Sequence, residues 1–310
     1  MFDPCIAHQN LDEAGLAPAS SFPAKMPRME TWLRVVPGAT PLVLDSPHSG
    51  TGYPADFGYA CDMRELRQAE DTHVEKLYDF APSLGIAWIE ALFPRSYLDP
   101  NRNVTEIDAE MFADAWTGEV VSEPKARAKV RLGKGLIWRV TDSGVPIYSR
   151  KLRAAEVQSR IEQCWKPYHA AVEGAIDAAH RRHGYSIHIN CHSMPAVSGE
   201  YSTDFPGLVH ADFVIGDRDG TTADPRLSGK VCGHLEQLGY NVSYNHPYKG
   251  VELVRRYGDP AHNRHGIQVE INRKLYMDEE TLQLTPASDD LKAGLRSLLR
   301  MLLATDPRKL

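Results

Sequence analysis

The chain has 310 residues, of which 42% are hydrophobic and 25% charged, enough for one large α/β domain or two small ones with a sizeable core. Its formal net charge of −6 leaves no basic footprint for nucleic acid and argues against an anionic membrane surface. No run of 18 apolar residues could span a bilayer, the first residues lack the basic-then-apolar order of a secretory signal, and the five cysteines form no CxxC pair; a cytoplasmic protein with reduced thiols is expected.

Residues 1–30 are rich in Pro, Ala and Ser without clear periodicity and read as an N-terminal arm, leaving residues 31–310 as a single domain. Pro41-Leu-Val-Leu-Asp-Ser46 is a short apolar run that predicts a buried strand, followed by turn chemistry in Pro47-His-Ser-Gly-Thr-Gly52. Leu66, Val74, Leu77 and Tyr78 predict a helix over 64–81, and Ile86-Ala-Trp-Ile89 a second strand. Trp138 to Tyr148, with Asp-Ser-Gly at its centre, predicts a β-hairpin. A steady three-to-four step from Val157 to Ala179 predicts a long helix over 153–182, closed by Gly184. Strands at 186–190, 212–216 and 267–271 and helices at 225–238 and 291–303 complete the order. Strands alternating with helices imply α/β architecture: a mixed, mostly parallel sheet flanked by helices.

Several strands end in groups that can do chemistry, at the edge where open α/β sheets bind ligands. Asp45-Ser-Pro-His48 ends one, Asn190-Cys-His192 ends another, and Glu270 sits within Gln268-Val-Glu-Ile-Asn272. Two imidazoles and an oxygen ligand would make an open zinc site, since catalytic zinc takes three protein ligands and keeps a fourth position for water. Glu70-Asp71-Thr72-His73 offers three candidates for the third ligand; on a helix Glu70 and Asp71 would point about 100° apart, so one of them would face the site. His188 shares a strand face with His192, but a core histidine with a satisfied hydrogen bond explains it as well. Glu270, between Val269 and Ile271, is costly to bury unless paired or coordinated, so it is a candidate general base; the same alternation also fits a strand with Gln268, Glu270 and Asn272 looking to solvent. Phe93-Pro-Arg-Ser-Tyr-Leu-Asp-Pro-Asn-Arg-Asn103 is dense in arginine, the residue that grips a carboxylate with two parallel N–H bonds. Asp217-Arg-Asp-Gly220 adds Arg218, and Tyr244 to Gly250 has the composition of a loop with a glycine hinge.

Taken in order, Leu44-Asp-Ser-Pro-His-Ser-Gly50, Glu70-Asp-Thr-His-Val74, Phe93 to Arg102, Asn190-Cys-His-Ser-Met194, Gly216 to Gly220, Asn245-His-Pro-Tyr-Lys-Gly250 and Gln268 to Asn272 resemble the N-formylglutamate amidohydrolase family over about residues 40–280. The resemblance implies a zinc-carboxypeptidase-like fold and hydrolysis of the formyl amide of N-formyl-L-glutamate to formate and glutamate, in histidine breakdown. It implies His48, Asp71 and His192 as ligands of one Zn2+ and Glu270 as the general base. It places Asn101 and Arg102 on a substrate carboxylate, with Arg95 and Arg218 as further candidates for the other carboxylate. Two departures stand out: Asn190 where the family more often has an acid before Cys-His, and Gly250-Val-Glu-Leu253 in place of a Gly-Gly stretch after the lysine. The partner expected is a small N-acyl acidic amino acid. The rival expectations are a zinc amidohydrolase or peptidase acting on another N-acyl amino acid or a cell-wall peptide, and a non-catalytic domain of the same fold that binds an acidic ligand.

Overall fold

The computed structural model describes residues 32–199 and 205–310; the arm expected over residues 1–30 lies outside them. Among the described residues seven strands form one sheet. They are β1 (Leu33–Val36), β2 (Leu42–Ser46), β3 (Ala87–Ala91), β4 (Ser186–Met194), β5 (Phe213–Gly216), β6 (Val242–Tyr244) and β7 (Arg264–Asn272), in spatial order β1-β3-β2-β4-β7-β5-β6. β3, β2, β4 and β7 are parallel neighbours; β1 and β5 run antiparallel to β3 and β7, and β6 pairs parallel to β5. The sheet is thus mixed and mostly parallel, as expected. The four parallel strands are almost wholly buried, β2 and β3 as short apolar runs and β4 and β7 with polar side chains alternating with apolar ones.

The helices are α1 (Met63–Arg67), α2 (Val74–Leu77), α3 (Pro124–Arg131), α4 (Ala154–Arg160), α5 (Lys166–His183), α6 (Pro225–Gln237), α7 (Glu252–Tyr257) and α8 (Ala287–Leu303). On one face of the sheet Leu44, Trp88, Ile189 and Val269 meet α6 and α8, and α8 buries Leu291, Leu295, Leu298, Leu299 and Leu302 at helical spacing. Each such leucine contributes about 1.5–3 kcal/mol of burial. On the other face Val43 and Ile89 pack beneath Val172 and Ile176 of α5. That second face also carries the polar side chains Asp45, His188, Asn190, His192 and Glu270, all of them buried. β2 and β4 are adjacent, yet the chain leaves them toward opposite sides of the sheet, so their carboxyl ends flank a crevice.

Three expectations need correction. The helix expected over 64–81 is two short helices, α1 and α2, broken at residues 68–73. Within the break Asp71 N–H donates to the His48 carbonyl, and Arg273 takes the carbonyls of Gln68 and Glu70 that helix continuation would have used. The hairpin at 138–148 is reduced to a single bridge, Val140 to Pro146, with Thr141 N–H donating to the Val145 carbonyl and Ile147 N–H to the Arg139 carbonyl. The long helix is continuous from Ala154 to His183 but contains a π turn at Ile161–Trp165. No helix among the described residues is long and apolar enough to cross a membrane.

Candidate metal centre

His48 follows β2 by two residues, where Pro47-His-Ser-Gly50 turns against the end of β3. Gly50 is required there, since a Cβ would lie 2.4 Å from the Phe93 carbonyl oxygen. His192 stands on β4 in register with Glu270 on β7, so the two side chains lie side by side on one face. Asp71 comes from the break between α1 and α2. His48, Asp71 and His192 offer ligand atoms that all lie within 4.8 Å of one another, and all three residues are buried. The Nδ1 atoms point inward: His192 Nδ1 lies 2.8 Å and His48 Nδ1 3.4 Å from Asp71 Oδ2. His48 Nδ1 is buried without a hydrogen-bond partner. An orphaned imidazole nitrogen facing a carboxylate and a second imidazole is the donor set a divalent metal such as zinc requires, so these residues fit the ion.

The opposite edge of each imidazole is held. His48 Nε2 donates to Asp99 Oδ1 at 2.7 Å. Asp99 also accepts from the Arg95 guanidinium (3.0 Å), the Trp138 indole (3.3 Å) and the Asn101 backbone N–H (2.9 Å). Burial would raise the Asp99 pKa, but His48 and Arg95 hold it well below the ordinary carboxylate value. Burial likewise opposes ionisation of Asp71, and the adjoining imidazoles of His192 and His48 keep its pKa well below normal. His192 Nε2 lies 2.8 Å from Asn190 Oδ1. Glu270, beside the cluster, receives a hydrogen bond from Gln268 Nε2 (2.8 Å); burial and then the charge of Asp71 push its pKa well above normal. Gln268, Glu270 and Asn272 are all buried, which removes the solvent-facing alternative.

The cluster forms the floor of a cavity of about 570 Å³, whose walls include Arg95, Arg102, Lys134, Trp138, Tyr248 and Arg273. Arg102 reaches Glu106 at 3.5 Å and presents its guanidinium to the cavity. Asn101 also lines it, but its amide is engaged within the protein: Oδ1 accepts from Leu253 N–H and Nδ2 faces His192 Nε2 at 3.0 Å. Arg218 is not brought to the cavity wall; its guanidinium donates to the Gly250 carbonyl. The physical reason lies in the turn after β5, where Asp217 is anchored by Tyr244, Ser228 and Asn245 and carries its neighbour away from the site. Glu70, the alternative third ligand, turns from the cluster to accept from Tyr53. His188 is the satisfied core histidine, 2.6 Å from Asp45. Within the Tyr244–Gly250 loop, Tyr248 lines the cavity.

Sequence reasoning missed Asp99 and Arg273. Asp99 stood in view, between two arginines. Arg273 follows Glu270 by three residues and ties the Asp71 loop to the sheet, reaching Glu70 O at 2.6 Å, Ser193 Oγ at 3.3 Å and Asp71 Oδ1 at 3.5 Å.

An α/β sheet with two imidazoles and a carboxylate converging at its carboxyl edge, beside a buried glutamate and under a cavity with three arginines in its lining, has the arrangement of an α/β hydrolase with a candidate metal site. The chain belongs to the N-formylglutamate amidohydrolase family, whose model matches residues 40–277. It is 30% identical over 275 residues to N-formylglutamate deformylase of Pseudomonas putida, covering 86% of this chain and 94% of that protein. A crystal structure of N-formylglutamate amidohydrolase from Ralstonia eutropha JMP134 superposes with a TM-score of 0.84 at 41% identity, over 91% of this chain and all of that one. The Agrobacterium tumefaciens gene product Atu2144 shares the fold, with a TM-score of 0.62 at 15% identity over 88% of this chain and 94% of that one.

Proposed function

We propose that this chain is a zinc-dependent deformylase that hydrolyses N-formyl-L-glutamate to formate and L-glutamate, a step of histidine degradation. The observation that carries the reading is the convergence of His48 Nδ1, Asp71 and His192 Nδ1 within 4.8 Å beside Glu270. The activity named for its relatives supports the choice of substrate. A zinc ion held by these three residues supplies a Lewis acid and lowers the pKa of water at the site.

The chain's own groups do the rest. Glu270 takes a proton from the water that attacks the formyl carbon and passes it to the departing amine nitrogen, so C–O forms, C–N breaks and the carboxylate is regenerated. Arg102 receives a substrate carboxylate and fixes the amide over the cluster, replacing a bimolecular encounter by a held geometry. Arg95, already aligned by Asp99, stands where it can face the charge that develops on the formyl oxygen. Asn101, whose amide is committed to Leu253 and Asn190, is not assigned a substrate carboxylate.

The test is formate release from N-formyl-L-glutamate, with and without a chelator, set beside other N-acyl amino acids. Release that a chelator abolishes and added zinc restores is expected, with about one zinc per chain. Glu270→Gln should keep the metal and lose at least about 100-fold in kcat; near-normal turnover by that variant removes Glu270 from its role. Metal binding with no hydrolysis of any N-acyl amino acid would favour a ligand-binding domain.

A further inference from the structure

An imidazole that binds a metal is ordinarily braced on its far nitrogen by a carboxylate or a backbone carbonyl, which fixes its tautomer and raises its basicity. His48 follows that rule through Asp99. His192 is backed by a side-chain amide, and an amide can turn either its oxygen or its nitrogen toward the ring. Something must decide which.

The structure supplies the answer one residue further back. Asn190 Nδ2 lies 3.0 Å and 3.1 Å from the two oxygens of Asp45. A carboxylate cannot donate, so the NH2 end of the amide must face Asp45 and the oxygen must face His192. Asp45 is itself fully buried and fixed from two other sides, by His188 Nε2 at 2.6 Å and the Tyr168 hydroxyl at 2.7 Å. Asn190 is fully buried, and the β2–β4 register pairs it with Asp45. Asn101 adds a weaker vote for the same orientation, its Nδ2 lying 3.4 Å from Asn190 Oδ1.

We infer that Asp45 is a positioning residue that acts on the metal centre through the Asn190 amide: it pins that amide oxygen-first onto His192 Nε2, so that when a metal takes the Nδ1 lone pair the ring carries its hydrogen on Nε2 and donates it to Asn190. The carboxylate that would ordinarily sit against the ring has moved one hydrogen bond back, across the strand pair. The alternative arrangement is concrete. Asn101 Nδ2 lies 3.0 Å from His192 Nε2; were it the donor to a bare Nε2, the hydrogen would sit on Nδ1 and block the metal-facing atom.

The inference rests on the zinc reading for its functional consequence but not for its geometry, and the experiment separates the two. Nitrogen-15 spectra of the zinc-loaded full-length protein should show His192 Nε2 protonated, and spectra of the metal-free protein should show the Asn190 side-chain NH2 held by Asp45; an Asn190 NH2 that exchanges freely overturns the relay, whether or not zinc binds. Zinc affinity, measured by chelator competition, reads the consequence. Asp45→Asn should raise the zinc Kd about 10- to 100-fold, because the amide loses its anchor. Adding Asn190→Asp in that background puts the charge directly against His192 and should bring Kd back to within about fivefold of the parent. A double variant that binds no tighter than Asp45→Asn, or an Asp45→Asn that binds like the parent, refutes the proposal. Should Asp45→Asn alone not fold, the double variant and the nitrogen-15 spectra of the parent decide. A parent that binds no zinc would defeat the metal reading while leaving the Asn190 amide spectra to judge the relay.

Discussion

The two imidazoles of the centre are supported in opposite ways. On the β3 side His48 rests directly on a charge, and Asp99 is in turn gripped by Arg95, from the loop that also carries Arg102, and by Trp138. On the β4 side His192 rests on a neutral amide, and the charge of Asp45 lies one residue deeper, among Tyr168 and His188 in the core. The first arrangement couples the candidate metal site to the cavity wall, so a ligand that pulls on Arg95 also pulls on Asp99 and His48. The second couples it to the sheet and α5, away from the cavity. One side can respond to substrate; the other holds the frame.

Three further changes break or sharpen that contrast, beginning with the largest. Asp99→Asn makes the two sides alike by leaving both rings on amides, without a second carboxylate behind residue 99. We expect a zinc Kd about 10- to 100-fold weaker, together with a loss of kcat as Arg95 loses its alignment. Chelator competition and initial rates check both; a variant with normal affinity would mean that the direct charge is unimportant.

The next effect is on stability. His169 buttresses the β3 side, donating from Nε2 to the Pro100 carbonyl and accepting from Tyr257 at Nδ1. Burial pushes its pKa down to about 4, against about 6.5 in the unfolded chain. The unfolded state therefore binds the extra proton first: the contribution is fully present above pH 6.5 and is lost as pH falls from 6.5 toward 4, by about 2–3 kcal/mol. Urea titrations at pH 7 and pH 4.5 should show that loss, and His169→Gln should shrink it. An equal pH dependence in the variant would assign the loss elsewhere.

The smallest effect is a control. Arg218 belongs to neither side, and its guanidinium is committed to Gly250. Arg218→Ala should leave kcat/KM for N-formyl-L-glutamate within about twofold, the range of a surface change remote from the site. A rise in KM of tenfold or more would return Arg218 to the substrate.

The strands were legible from short apolar runs, as in Leu42-Val-Leu44, and from period-two alternation, as in Ile267 to Ile271. The residues of the candidate site, His48, Asp71, His192 and Glu270, were singled out by the ordered motifs, and all but Asp71 also by their places on or just after strands. The break at 68–73 was hidden, because Leu66, Val74, Leu77 and Tyr78 keep a helical step across it; what ends α1 is Arg273, some 200 residues downstream in the chain. Asp99 was hidden for the same kind of reason. Its partner His48 is 51 residues away, and nothing local separates a bracing aspartate from a turn aspartate. Arg218 misled because density of arginine near Asp-Gly says nothing of which way a turn faces.

The π turn at Ile161–Trp165 gives the long helix one residue more than an α-helix of the same rise would hold. Just at and beyond it, the Trp165 indole reaches the Arg102 carbonyl at 3.0 Å and His169 reaches Pro100. The anchorage of the arginine loop is therefore phased by that extra residue. Deleting it would leave a smoother helix but rotate the following turns by about 100°, carrying both anchors off the loop. Relatives that lose or gain a residue here would have to rebuild the arginine side of the cavity, so this stretch of helix is a place where length, more than side-chain identity, constrains how the family can diverge.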